Sequence, residues 1–355
     1  MFKRTIPFLL IAVQALACTG IQLKAKDGSI VHGRTLEFGT KILFSAGVVP
    51  RNYSFFGTTP LGKGLEYESK YGAVGAILFN EPAIADGMNE KGLCVGTFYF
   101  PGFAQYVEIT PENRARALSP TEFPNWIVTQ FENVEEIKEA IDSVVIAQVQ
   151  LKAWGNMAPP FHYIVYDQSG GCIVIEPIGG KLVITDNPFG VMTNSPAFDW
   201  HMTNLRNYIN LRVQNVLPLT IEGVTLAPFG QGSGMVGLPG DFTPPSRFVR
   251  AAIFSYTLIP PKNAFDGILQ TFHVLNQFDI PKGIAREVDG KTIHADYTMV
   301  TCARDPQSLK YYFKTYEDQT IRMIDLNAFD LDETKIKKMT PVSEQPIVDI
   351  SSKLK

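Results

Sequence analysis

Charge, cysteine and histidine are all scarce in this sequence of 355 residues. Charged residues make up 19% of it and the formal net charge is −3, which gives no electrostatic support for nucleic-acid binding. Four cysteines do not make a disulfide scaffold in a chain of this length. The five histidines are scattered and no Cys/His spacing is typical of zinc. We therefore expect no metal in catalysis and no cofactor.

Long apolar runs and nucleotide-binding signatures are also missing. After residue 17 no apolar run approaches the roughly 18–20 residues that a membrane span needs. The sequence has no internal repeat, no Walker loop and no dinucleotide fingerprint. Its hydrophobic content of 45% is enough for a substantial core. We therefore expect one domain over residues 18–330, followed by a charged, peripheral C-terminal tail over residues 331–355.

The first seventeen residues have the pattern of a cleaved signal peptide. Lys3 and Arg4 supply a positive start, and an apolar stretch then leads to a small-x-small cleavage site that ends at Ala17. Removal of residues 1–17 would make Cys18 the first residue of the mature chain. The leader predicts an exported protein, either periplasmic or secreted.

An N-terminal Cys18 would combine a thiol with a free α-amine. Such an amine titrates at about 7.7–8.0, so it can take the thiol proton and later pass a proton to a leaving amine. Three other interpretations stay open at this point: a lipid anchor, a disulfide partner or an incidental buried thiol. The lipoprotein signal usually has leucine three residues before the cysteine, where this chain has Ala15. The other cysteines, Cys94, Cys172 and Cys302, lie in apolar stretches that predict buried strands.

A β-hairpin is predicted to begin at the cleavage point. Residues 19–23 and 29–34 are rich in β-forming residues and flank a polar turn that contains glycine. The hairpin would hold the new N-terminus in a sheet and bring Arg34 and Glu37 level with Cys18. An arginine beside a thiol favours the thiolate, and a carboxylate can hold an α-amine by a hydrogen bond. An ordinary surface ion pair at a strand end is the alternative.

The remaining chain consists of blocks of strands and blocks of helices. We expect long loops over residues 40–72 and 218–246 and a turn over residues 85–92. Helices are predicted within 119–147 and over 198–217, 247–255 and 263–276, and strands over 72–80, 93–100, 161–167, 172–177, 181–185, 191–193, 298–304, 309–315 and 321–325. Because strands and helices do not alternate regularly, the predicted fold class is α+β, with layered antiparallel sheets and helices outside.

Nine short motifs follow one another in order between residues 18 and 325. They are CT at 18–19, GRTLE at 33–37, ADGMNEKGL at 85–93, GVMTNSP at 190–196, FDWH at 198–201, LPGD at 238–241, SRFVR at 246–250, YT at 297–298 and YY at 311–312. The ordered set resembles the choloylglycine hydrolases and penicillin V acylases, which are N-terminal-nucleophile (Ntn) cysteine amidases. With its leader, the chain looks like the Gram-negative, exported branch. The resemblance implies an αββα sandwich of two antiparallel sheets between helix layers, and hydrolysis of a linear amide.

The resemblance also implies which residues attack the amide. Cys18 would be the nucleophile and its α-amine the general base. Arg34 would lie beside the thiol, and the acidic side chain of Glu37 would orient the amine. Many relatives have aspartate in place of Glu37, so the extra methylene of glutamate keeps the charge but shifts its position.

A second group of residues would stabilise the charge that develops during the reaction. The resemblance assigns the oxyanion hole to the Asn194 side chain and the Tyr99 backbone N–H, and charge stabilisation across the site to Arg247. Bile-salt-specific relatives often carry asparagine where this chain has Tyr99, and tyrosine is more like the penicillin V acylases. Taken locally, Asn194 also fits a turn, Arg247 a solvated helix start and Tyr99 a core aromatic.

The implied substrate is a small-molecule N-acyl amide. A conjugated bile salt such as glycocholate, or penicillin V, is expected, with an N-acyl-homoserine lactone as the alternative. Relatives are often homotetramers, so a homotetramer is expected here too. A function of another class also stays open, namely an envelope binding protein that is lipidated on Cys18 and has no hydrolase activity.

Overall fold

The computed structural model describes residues 17–39, 44–78, 82–289, 292–341 and 344–354. The predicted signal peptide therefore lies outside the described residues, apart from its last residue, Ala17. Within the described ranges the chain forms five α-helices and twenty strands, which are joined by turns and short 3₁₀ segments.

The elements are numbered in chain order. The helices are α1 (Phe123–Gln130), α2 (Val134–Ala140), α3 (Phe198–Leu205), α4 (Pro244–Thr257) and α5 (Ala264–Leu275). The strands are β1 (Cys18–Lys24), β2 (Ile30–Phe38), β3 (Phe44–Val49), β4 (Ser54–Thr59), β5 (Gly62–Glu68), β6 (Ala73–Leu78), β7 (Ala83–Asn89), β8 (Cys94–Tyr99), β9 (Ala117–Leu118), β10 (Val145–Ile146), β11 (Phe161–Tyr166), β12 (Cys172–Ile178), β13 (Lys181–Asp186), β14 (Leu219–Ile221), β15 (Val224–Leu226), β16 (Ala285–Asp289), β17 (Thr292–Asp305), β18 (Lys310–Thr315), β19 (Arg322–Asp325) and β20 (Lys337–Met339).

Two antiparallel sheets form the centre of the molecule. The first has the order β1-β2-β17-β18-β19, and β16 pairs with β17 beside it. The second has the order β13-β12-β11-β8-β7-β6-β3-β20. The predicted N-terminal hairpin is confirmed as β1 and β2, in which Cys18 pairs with Leu36. The hairpin therefore starts at the residue that the predicted cleavage would expose.

Helices cover the outer faces of both sheets. Helix α1 packs on β7 and β8 of the second sheet, whereas α4 packs on β1 and α5 on β1, β2 and β17 of the first. Buried apolar residues of both sheets and of these helices form one large core cluster. Each amphipathic element thus buries its apolar face against a neighbouring layer. The predicted α+β fold, an αββα sandwich, is confirmed.

The predicted loop over residues 40–72 is wrong, because its described part contains β3, β4 and β5. Its glycines serve close packing in strands. A Cβ added at Gly57 or Gly64 would lie 2.0 or 2.2 Å from the carbonyl oxygen of Ala117. A glycine in a strand allows another backbone to approach closely, and such glycines resemble loop signals in a sequence.

The predicted turn over residues 85–92 is also wrong in its first half, which belongs to β7. Polar residues are tolerated in this buried strand because they have partners. The Asn89 side-chain Nδ2 donates to the carbonyl oxygens of Val128 and Phe131 at 2.8 and 2.7 Å, which ties β7 to the end of helix α1. Tertiary hydrogen bonds therefore outweigh the local turn preference of asparagine.

The predicted helix over residues 198–217 is shorter than expected. Helix α3 ends at Leu205, and a 3₁₀ turn continues only to Tyr208. Ile209 and Leu217 are exposed, so no neighbouring layer supports a longer helix. The predicted loop over residues 218–246 contains the short hairpin β14–β15 and the start of α4.

Three further features concern the C-terminal region, the helices and the cysteines. Strand β20 pairs with β3 and so places residues 337–339 at the edge of the second sheet. None of the described helices is long and apolar enough to cross a membrane. All four cysteines are free thiols, and Cys94, Cys172 and Cys302 lie buried in strands as predicted.

Candidate active site

Cys18 is the first residue of β1 and is buried, with 3% of its surface exposed. Ala17 precedes Cys18 in the described chain, so the Cys18 nitrogen is a peptide amide. On the side of β1 away from β2, Gly20 exchanges two backbone hydrogen bonds with Met192, at 2.8 and 3.1 Å. Gly190 makes this approach possible, since its φ is +59° and a Cβ there would lie 2.5 Å from Gln22. The contact carries the segment after Met192 alongside Cys18.

Asn194 lies at the end of this segment and touches three other parts of the site. The Cys18 backbone N–H donates to Asn194 Oδ1 at 2.9 Å. The same oxygen accepts a hydrogen bond from Arg247 Nη2 at 2.7 Å. Asn194 Nδ2 donates to the carbonyl oxygen of Tyr99 at 2.9 Å. An amide nitrogen carries two protons, so one N–H of Asn194 is left for a further acceptor.

Arg247 reaches the site from the first turns of helix α4, which starts with Pro244 and Pro245. Its guanidinium is buried and donates to the carbonyl oxygen of Cys18 and, at 3.0 Å, to Thr19 Oγ1. Nε donates to the carbonyl oxygen of Phe242 at 2.8 Å, which fixes the plane of the group. Burial lowers the pKa of Arg247 to about 10, a value at which the side chain is still charged at neutral pH. Its interpretation as a solvated helix-start residue is wrong.

Arg34 is buried between the sheets, so the alternative of a surface ion pair is wrong. Nη1 donates to the carbonyl oxygen of Thr97 at 2.7 Å, and the guanidinium carbon lies 4.2 Å from the centre of the Phe98 ring. Nη2 has no hydrogen-bond partner among the described residues. Burial raises the pKa of the Cys18 thiol, and the charge of Arg34 is the largest influence that opposes this rise.

Glu37 is buried next to Cys18 on the neighbouring strand. Its Oε1 accepts a hydrogen bond from Thr298 Oγ1 at 2.9 Å. Burial raises the pKa of Glu37 to about 8, although the charge of Arg247 opposes this rise. A hydrogen bond from the Glu37 main chain lowers the pKa of the Cys18 thiol. In the uncleaved chain the Cys18 nitrogen donates to Asn194, so the expected contact between Glu37 and an α-amine stays a prediction.

Tyr99 ends strand β8, where it pairs with Phe161 of β11. Its side chain is buried and its ring lies edge-on to Phe161, as expected for a core aromatic. The contact that it makes with Asn194 uses its carbonyl oxygen. The role predicted for the Tyr99 N–H in the oxyanion hole stays a prediction.

A buried charge cluster next to Arg34 was not predicted as part of the site. Asp86 of β7 lies 3.2 Å from Arg304 Nη2 and 3.9 Å from Arg34 Nε, and it accepts a hydrogen bond from Tyr311 at 2.9 Å. Buried charges need partners of opposite sign, and loss of one partner would leave the others uncompensated. The carboxylate of Asp86 therefore keeps the Arg34 guanidinium in its place between the sheets. The motif at residues 85–93 could have indicated this role, had its aspartate been placed in a strand.

A cavity of about 610 Å³ opens next to the start of β1. Asn194 and Arg247 line one side of it, and Ala17 lies in its wall, immediately before Cys18. Apolar side chains, among them Phe242 and Ile280, line much of the remainder, and the lining also includes Arg286, His294 and Asp296. The arrangement therefore combines an apolar cavity with a buried thiol, a buried guanidinium and a primary amide.

The sequence matches one family model over residues 18–339, described as linear amide C–N hydrolases, choloylglycine hydrolase family. The bile salt hydrolase/transferase of Clostridium perfringens is 36% identical over 325 residues, which cover 90% of this chain and 95% of that protein. The bile salt hydrolase/transferase of Lactiplantibacillus plantarum is 30% identical over 321 residues, with 90% of this chain and 95% of that protein covered.

Solved structures agree with the sequence comparisons. A cysteine-to-alanine mutant of the conjugated bile acid hydrolase from Clostridium perfringens superposes with a TM-score of 0.84 at 34% identity, covering 94% of this chain and all of that one. The penicillin V acylase from Agrobacterium tumefaciens has a TM-score of 0.72 at 23% identity, with 91% of each chain covered, and so shares the fold. The chain therefore belongs to the choloylglycine hydrolase family and is a linear amide C–N hydrolase.

Proposed function

We propose that Cys18, exposed as the N-terminal residue by removal of residues 1–17, is the nucleophile that hydrolyses an N-acyl amide. The proposal rests mainly on one observation: Asn194 and Arg247 hold the Cys18 backbone nitrogen and oxygen beside an apolar cavity. Cleavage turns the held nitrogen into an α-amine, which belongs to the same residue as the thiol. Nucleophile and base then need no further assembly.

The first half of the reaction forms an acyl-thioester. The α-amine takes the thiol proton, and the Cys18 sulfur attacks the carbonyl carbon of the amide. The second N–H of Asn194 and the Tyr99 backbone N–H donate to the oxyanion, a contribution of typically about 3–4 kcal/mol when one such donor is removed. The ammonium returns its proton to the leaving nitrogen as the C–N bond breaks.

The second half releases the acid. The α-amine, now neutral, takes a proton from water, whose oxygen attacks the thioester carbonyl. The C–S bond breaks, and the sulfur regains its proton from the ammonium. Arg34 favours the thiolate throughout, and Arg247 holds Asn194 and the Cys18 carbonyl in place. In this proposal an ionised Glu37 lies beside the α-amine and favours its ammonium form.

The acyl group is the apolar part of the substrate in this proposal, since the cavity wall beside Asn194 contains Phe242, Ile280 and Ile284. A conjugated bile salt such as glycocholate, or penicillin V, fits this description. Relatives that bear the names bile salt hydrolase/transferase and penicillin V acylase support both. An N-acyl-homoserine lactone is the alternative substrate.

We also propose that the protein is exported, with residues 1–17 as a cleaved signal peptide and the periplasm as its location, and that it assembles as a homotetramer. The competing lipid anchor on Cys18 is disfavoured by burial. With 3% of Cys18 exposed, a diacylglyceryl group on its sulfur would displace β1 from its neighbours.

A substrate panel on mature protein tests the proposal. Purified protein beginning at Cys18 should release glycine from glycocholate or the acyl acid from penicillin V, and Cys18→Ser should abolish the release. Acyl-homoserine lactones in the same panel decide the alternative. Absence of hydrolysis across the panel, or full activity in Cys18→Ser, would refute the proposed mechanism. Detergent partitioning with a diacylglyceryl mass on Cys18 would support the lipid anchor instead.

A further inference from the structure

Two buried histidines donate to successive carbonyl groups of the segment that carries Asn194. His162 of β11 places Nε2 3.2 Å from the carbonyl oxygen of Thr193. His201 of α3 places Nε2 2.9 Å from the carbonyl oxygen of Asn194 itself. Because a carbonyl oxygen can only accept, both Nε2 atoms carry the proton. The backbone on both sides of the Asn194 Cα is therefore held by an imidazole.

Both rings are fixed in direction by stacking. The His162 ring lies 4.1 Å from the ring of Phe100, with 8° between the planes. The His201 ring lies 4.6 Å from the ring of Phe248, with 14° between the planes. Neither imidazole can rotate about its χ2 bond without losing this contact, so each donor points at one carbonyl.

One carboxylate connects the two histidines. Glu176 Oε1 lies 3.2 Å from His162 Nδ1 and accepts a hydrogen bond from the Phe198 backbone N–H at 3.0 Å. Phe198 is the first residue of helix α3, which carries His201. Because Nε2 of His162 already carries a proton toward Thr193, the contact between Nδ1 and Glu176 needs a second proton between the ring and the carboxyl group. With that proton in place, Glu176 holds His162 and also places the helix that brings His201 to Asn194.

Burial keeps the His201 imidazole neutral. It lowers the pKa of His201 to about 4 and also lowers the pKa of His162, where the neighbouring Glu176 opposes the effect. Nδ1 of His201 has no hydrogen-bond partner among the described residues. The hydrogen bond from its Nε2 to the carbonyl oxygen of Asn194 therefore connects this buried ring to the site.

We propose that His201 and His162 are positioning residues that orient the Asn194 amide toward Cys18 and the oxyanion, an inference that rests on the role proposed above for Asn194. The carbonyl that His201 holds belongs to the peptide plane next to the Asn194 Cα, so it sets the direction of the side chain. That direction lets Oδ1 reach the Cys18 nitrogen and Nδ2 reach the Tyr99 carbonyl. A displacement of about 1 Å at such a group can cost a hundredfold in rate.

Two polar substitutions of His201 separate positioning from packing. In His201→Gln the amide nitrogen reaches the place of Nε2, whereas in His201→Asn it is one methylene too short. We expect His201→Gln to keep kcat within about threefold of wild type and His201→Asn to lose about 10- to 100-fold, with KM changed less than threefold in both. His32→Asn is the matched control, since His32 is also buried and stacked, on Tyr166 at 4.2 Å, and does not contact Asn194. It should lower the melting temperature and leave kcat unchanged.

Equal kcat in His201→Gln and His201→Asn, whether both are retained or both are lost, would overturn the proposal. The pH dependence of Cys18 alkylation by iodoacetamide supplies a second readout that needs no substrate. Asn194 holds the Cys18 nitrogen, so the pH midpoint should shift in His201→Asn and stay at the wild-type value in His201→Gln. If wild type hydrolyses no substrate but shows this difference, the proposed function fails and the positioning role stands. Identical midpoints in both variants would contradict the positioning role.

Discussion

Replacement of Glu37 with glutamine should change how the stability of the uncleaved chain depends on pH. Burial raises the pKa of Glu37 from 4.5 to about 8, although Arg247 and hydrogen bonds from Thr35 and Thr298 oppose the rise. Between these two values the folded protein binds a proton that the unfolded chain has lost. The contribution of Glu37 to stability is therefore complete below pH 4.5 and falls as pH rises toward 8.

The size of the effect follows from the width of that pH window. One pKa unit corresponds to 1.36 kcal/mol, and titration is partial at both ends of the window, so the contribution falls by about 3.5 kcal/mol between pH 5 and pH 8. Glutamine resembles the protonated acid, keeps an acceptor for Thr298 and does not titrate. The buried, neutral His201 acts in the opposite direction up to about pH 6.5, since unfolding lets it take up a proton. Its effect is the same in both proteins and cancels in the difference.

Denaturant unfolding at pH 5, 6, 7 and 8, followed by tryptophan fluorescence, measures this difference. Relative to wild type, Glu37→Gln should gain about 3.5 kcal/mol across the series. Glu139→Gln, at an exposed position of helix α2, is the matched control and should run parallel to wild type. A constant difference between Glu37→Gln and wild type at every pH would refute the reasoning. In the cleaved protein the new α-ammonium favours the carboxylate, so the gain should be smaller there.

Three substitutions test other parts of the site by steady-state kinetics on mature protein. Asn194→Ala removes an oxyanion donor and should lower kcat about 10²- to 10³-fold, and an unchanged kcat would exclude Asn194 from the oxyanion hole. Arg34→Met removes the charge that favours the thiolate, so the acidic limb of the kcat/KM profile should move to higher pH, and a fixed limb would contradict that role. Arg247→Lys keeps a charge but cannot hold the Cys18 carbonyl and Asn194 together, so activity should fall at least about tenfold, whereas wild-type activity would show that charge alone suffices.

The N-terminal hairpin could be predicted from sequence because its signals are local. Two β-rich stretches around a glycine-containing turn specify β1 and β2, and the strand register then places Glu37 one residue beyond Leu36, the partner of Cys18. Neighbours in a hairpin are separated by few residues, so local preference and tertiary contact agree there.

The oxyanion side could not be derived from local pattern. Cys18 and Asn194 are 176 residues apart, and Cys18 and Arg247 are 229 residues apart. No periodicity links such positions, and a local interpretation made Asn194 a turn residue and Arg247 a solvated one. Only the resemblance to a family assigned these residues to the site. Their hydrogen bonds to Cys18 are seen in the folded chain.

Buried polar residues account for most of what the sequence concealed. Asp86 and Asn89 look like turn residues, but Asp86 is paired with Arg304 and Asn89 with the backbone at the end of helix α1. His162 and His201 look scattered, yet they hold adjacent carbonyls. Residues of this kind are tolerated inside because distant elements supply their main partners, and a single sequence does not reveal those partners.

The central claim is that one residue, Cys18, is both the N-terminus and the attacking sulfur. Mature protein quenched with acid during turnover of a slow N-acyl substrate tests it directly by intact mass and peptide mapping. The account predicts a chain of residues 18–355 that carries one acyl group on the Cys18 sulfur. An active chain that still bears Ala17, or an acyl group on any other residue, would contradict it.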